Sequence, residues 1–101
     1  MLAEIQVLPQ PLGTEADHYS HVDAAIAVIE AAGLTYEVGA LGTTVEGPPE
    51  AVWPLLRAVH EATLAAGADG CVTVIKVAQA GEPGGDPTIA GLTGSFREPP
   101  A

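Results

Sequence analysis

The chain has 101 residues, with 3 Lys+Arg against 13 Asp+Glu, a formal net charge of −10 and 48 % hydrophobic residues. That is apolar material for one small core, which excludes ordinary intrinsic disorder. Three basic residues are too few to neutralise a nucleic-acid backbone, and no apolar run approaches the ~20 residues of a membrane span. Cys71 is the single cysteine, so neither an internal disulfide nor a CxxC knuckle can form. The acidic start around Glu4 is not that of a signal peptide. These features lead to the expectation of a soluble, cytoplasmic, single-domain protein with no nucleic-acid or membrane partner.

Residues 2–8 alternate in polarity, which predicts a half-buried strand stopped by Pro9 and Pro11. From Asp17 to Ala32 the period becomes helical. Val22, Ala25, Ile26 and Ile29 share a face, Asp17 or Ser20 is the expected cap, and Gly33 is the stop. Residues 34–38 and 41–46 are short strands joined by Gly39-Ala40, too close for anything but an antiparallel hairpin. A second helix opens at Gly47-Pro48-Pro49, carries Val52, Leu55, Leu56 and Val59 on one face, and ends at Gly67. Pro54 must kink it or mark its true start. Residues 71–78 are β-branched and almost continuously apolar, which predicts a central strand covered on both sides.

The order β-α-β-β-α-β is that of an α+β, ferredoxin-like two-layer sandwich with a four-stranded antiparallel sheet. The domain is expected over 1–80. Residues 81–101 read as a flexible loop followed by a weak helix interrupted by Gly91 and Gly94. Two helices then cover one sheet face. The other, bearing Glu4, Gln6, Thr35, Glu37, Thr44 and Glu46, is expected bare and free to dimerise or to bind a ligand.

No nucleophile elbow, phosphate loop or His-Glu-x-x-His motif occurs. His18 and His21, beside Asp17 and Asp23, lack a third fixed metal ligand. His60 reads as structural, and Cys71 as a small apolar residue without a basic neighbour. The segment Thr43-Thr44-Val45-Glu46-Gly47 is more informative, because a carboxylate closes a strand beside a glycine that admits close approach. Trp53, the sole indole, could stack on a ring or pack within the protein.

Taken together, Gly13-Thr14, His21-Val22, Gly33-Leu34-Thr35-Tyr36-Glu37 and Gly42-Thr43-Thr44-Val45-Glu46-Gly47 resemble the small thiamine-binding protein family of the YkoF-like superfamily. The chain departs from the family pattern at His21, where tyrosine is usual, and at Gly70 and Ala80-Gly81, where arginines are usual. The resemblance implies a homodimer or homotetramer that binds thiamine, or its hydroxymethylpyrimidine half, near a subunit interface. Thiamine is then the ligand and no cofactor serves catalysis. The ligand residues it suggests are Thr43, Glu46, Gly47, Tyr19, His21 and Trp53. Glu46 would accept from the exocyclic amine, Thr43 would add a hydrogen bond, and Tyr19 or Trp53 would cover a ring or the thiazolium. Two alternatives stand beside it: an oligomeric accessory or regulatory protein whose ligand is lost or changed, and an enzyme using His18 or His21 as a base.

Overall fold

In the computed structural model, residues 1–82 and 84–97 are described. The chain runs β1 (Leu2–Gln10), α1 (Ser20–Ala31), β2 (Thr35–Val38), β3 (Thr43–Glu46), α2 (Pro49–Ala65), β4 (Gly70–Ala78) and α3 (Ile89–Arg97). The sheet order is β2-β3-β1-β4, with every pairing antiparallel. This is the ferredoxin-like α+β sandwich.

The core lies between the sheet and α1/α2. β1 contributes Ala3 and Ile5, which sit opposite Val45 and Thr43 of β3. Ala25 and Ile29 of α1 and Val52, Leu55, Leu56 and Val59 of α2 close over them. The stripe of α2 is buried at all four expected positions. All four residues of the α1 stripe border a side cleft, but only Ala25 and Ile29 are fully buried in the core. Pro54 stays inside α2 and removes only the amide that would reach the carbonyl of Glu50, an exposed residue.

Several expectations are corrected. β1 continues through Pro9, which is buried and paired with Cys71. The carbonyl of Gln10 accepts from Asp69 N, so even-numbered residues turn their amides to β4 and Pro9 lacks only a donor on the opposite edge. β4 is an edge strand, not a central one; its apolar run divides between two faces, and Val72 and Val74 are exposed. No side chain caps α1, and Ser20 is its first residue, with a buried hydroxyl lacking a partner among the described residues.

The second sheet face is not bare, because α3 lies beside it. Glu46 Oε1 accepts from Ile89 N at 3.1 Å, Arg97 pairs with Glu37, and Asp86 accepts from Ala80 N at 2.7 Å and pairs with the Met1 amino group. A carboxylate at the start of a helix and a cation at its end suit the helix dipole. These ties form across the chain, where local glycine content could not report them.

Candidate ligand site

Two cavities flank β3, one on each sheet face. The larger, of about 490 Å³, lies between the sheet and α3 and includes Leu2, Glu4, Glu37, Thr44, Lys76 and Leu92. Its charged groups have partners: Glu37 pairs with Arg97, and Glu4 stands 3.7 Å from Lys76. Glu46, on the same face, is committed to the α3 amide.

The smaller, of about 260 Å³, opens between α1, β1 and the β2–β3 turn, and includes Val7, Leu12, Tyr19, Ile26, Leu41 and Thr43. It is an apolar cleft with a few directed polar groups, the usual make-up of a small-molecule site. Each wall has a local cause. Thr43 is at the head of β3 on the helix side and is buried. Tyr19 precedes the first residue of α1 and is 60 % exposed. The loop before it is closed by Thr14 N donating to Asp17 O at 2.8 Å and by Asp17 N donating to Thr14 Oγ1 at 3.1 Å. Gly13 is required there, since a Cβ would lie 2.3 Å from Asp17 O.

Of the six residues singled out in the sequence, the structure brings two together: Tyr19 and Thr43 share the smaller cleft. Glu46 lies on the opposite face from Thr43, because positions three apart in a strand point to opposite sides. One small ring cannot take both in the way the motif suggested. Gly47 exchanges backbone hydrogen bonds with Met1 and abuts Leu34 and Val52. His21 is 3 % exposed and its Nδ1 donates to the Pro11 carbonyl at 2.8 Å, holding the loop against α1. Trp53 is half-exposed on α2 and borders neither cavity. The parts that the sequence reading missed are apolar or main-chain: Leu12, Leu41 and the edge of β1 at Val7. Their signal is the unequal length of β1 and β3, which appears only once the register is known.

His60 Nδ1 is 2.5 Å from Thr73 Oγ1 and links α2 to β4. No group of three or more metal-ligating side chains occurs among the described residues. No helix among them is long and apolar enough to cross a membrane.

Comparison with known proteins agrees with this architecture. The profile of the Thiamine-binding protein family matches residues 3–91. A UPF0045 protein of Methanothermobacter thermautotrophicus is 34 % identical over 77 residues, covering 74 % of this chain and 76 % of that one. A domain of unknown function, DUF77, from Bacillus cereus superposes with a TM-score of 0.82 at 33 % identity, covering 96 % of this chain and 89 % of that one. A Thermotoga maritima protein described as a candidate thiamine biosynthesis/salvage protein superposes with a TM-score of 0.78 at 25 % identity, covering 95 % and 97 %. The family match over residues 3–91, nearly the whole folded unit, places this chain in the thiamine-binding protein family.

Proposed function

We propose that the protein binds thiamine or its hydroxymethylpyrimidine half, without catalysis, in the cleft between α1 and β3. The observation that carries this reading is the meeting of Tyr19 and Thr43 in an apolar cleft on a chain of the thiamine-binding family. The Tyr19 ring offers a face for the thiazolium or pyrimidine, and the Thr43 hydroxyl offers a directed hydrogen bond. The net charge of −10 draws a cation toward the protein. The carboxylates of the opposite cavity are already paired, so a cation there would have to displace Arg97 or Lys76.

The assembly we infer is a homo-oligomer built on the exposed strip formed by Leu8, Val72 and Val74. These three lie together on the second sheet face, where Leu8 pairs with Val72, along an open edge strand. An apolar strand left at a sheet edge is a template for pairing with another chain, and a second copy offers the same strip.

The test is calorimetric titration with thiamine and with hydroxymethylpyrimidine. Saturable heat is expected for both. At a hundred times the dissociation constant the ligand raises the unfolding free energy by about 2.7 kcal/mol. A flat titration of folded protein would overturn the reading in favour of an accessory protein with a changed ligand.

A further inference from the structure

The wall of the cleft includes β1 at Val7, whose main chain has no strand partner on the β3 side. Met1 O accepts from Gly47 N, so odd-numbered residues of β1 turn their amides and carbonyls to the β3 side. The β1–β3 pairing ends at Ile5 opposite Thr43, while β1–β4 continues to Gln10. The neighbouring chain turns away at Gly42, whose carbonyl accepts from Gly39 N. Val7 is the next odd position and therefore presents an N–H and a C=O, side by side, past the end of β3 and into the cleft. Pro9, the following odd position, has no N–H to offer. The open edge is thus one donor–acceptor pair wide. An extended peptide would gain a single pair from it, whereas a flat ring with a matching edge is fully served.

We propose that Val7 reads the ligand through its main chain, selecting flat heterocycles with an acceptor nitrogen beside an exocyclic amine, as in a 4-aminopyrimidine. The ring nitrogen accepts from Val7 N and the amine donates to Val7 O, with Tyr19 and Thr43 forming the adjoining walls. The inference rests on the thiamine-binding reading and identifies which half of the ligand the cleft recognises. It also accounts for a cleft without charged side chains: main-chain groups distinguish donor from acceptor without a carboxylate.

The test compares thiamine with oxythiamine, whose ring carries an oxo group in place of the amine and so reverses the donor–acceptor order. Oxythiamine is expected to bind wild-type protein at least about tenfold more weakly, since a reversed edge leaves both Val7 groups unpaired. Val7→Pro removes the β1 N–H that faces the cleft and no bond to β4, and should weaken thiamine by roughly five- to tenfold. Exchange of the Val7 amide proton in wild-type protein, followed by NMR, should slow on adding thiamine, a readout that holds even where Val7→Pro fails to fold. If thiamine binds yet oxythiamine binds equally well and Val7 exchange is unchanged, main-chain recognition is overturned while thiamine binding stands. Absence of thiamine binding overturns both, so the two failures are distinguishable.

Discussion

A methyl group at Gly13 would sit 2.3 Å from the Asp17 carbonyl oxygen and 2.5 Å from the His18 carbonyl carbon. Backbone cannot move aside as a flexible side chain can. Gly13→Ala should therefore cost about 2 kcal/mol in urea unfolding, the scale of overpacking, and weaken thiamine binding because the same loop carries Tyr19. Ser20 predicts the opposite sign. Its hydroxyl is buried without a partner among the described residues, so Ser20→Ala should leave stability unchanged or raise it by up to ~1 kcal/mol in the same assay. In the cleft, Thr43→Val should weaken thiamine by roughly fivefold, one neutral hydrogen bond, with little loss of stability, as read by calorimetry. The sequence offers Tyr19 as an aromatic cover and Thr43 from the Gly42–Gly47 segment, and the structure lines one cavity with both. The joint use of Thr43 and Glu46 did not follow, although strand parity contains the reason: residues 43 and 46 differ by an odd number.

Helices α1 and α2 follow from period alone, because Ala25, Ile29, Val52, Leu55, Leu56 and Val59 recur at helical spacing and are buried. α3 does not. Its Gly91 and Gly94 disfavour a helix locally; Thr88 Oγ1 accepts from Gly91 N at its start, and contacts distant in sequence add to that cap, Glu46 at its first residue and Glu37 at its last. β4 was misplaced for a related reason, since an apolar run does not say whether its second face is covered by helix, by a partner or by nothing. Glu46→Gln should accordingly speed amide exchange across Ile89–Arg97 while leaving thiamine affinity unchanged. A strong loss of affinity would move the ligand to the other face. The attachment of the segment before α3 is pH-dependent. The Met1 amino group and the Ala80 amide hold the Asp86 carboxyl below the ordinary carboxylate range. Its folded pKa is depressed, so its contribution is present above the usual carboxylate range and is lost as pH falls through the folded value. Asp86→Asn should flatten that acid limb in a plot of stability against pH.

For the molecule as a whole, the two sheet faces have different tasks. One is sealed by α1 and α2 and leaves a cleft where β1 outlasts β3. The other is shared between α3 and an exposed strip of Leu8, Val72 and Val74. Val72→Lys with Val74→Lys should shift sedimentation from oligomer to monomer, since like charges across a self-complementary strip repel. Fold class and family were readable from the element order and the glycine-rich motifs, whereas the division of the site between faces depended on register. Binding of thiamine on the helix side of β3, as proposed, is tested by an NMR titration with thiamine on backbone-assigned protein. Saturable shifts are expected to cluster at Val7, Leu12, Tyr19, Leu41 and Thr43. Shifts clustered instead at Glu37, Thr44, Glu46 and Ile89–Arg97 would contradict it and place the ligand beneath α3.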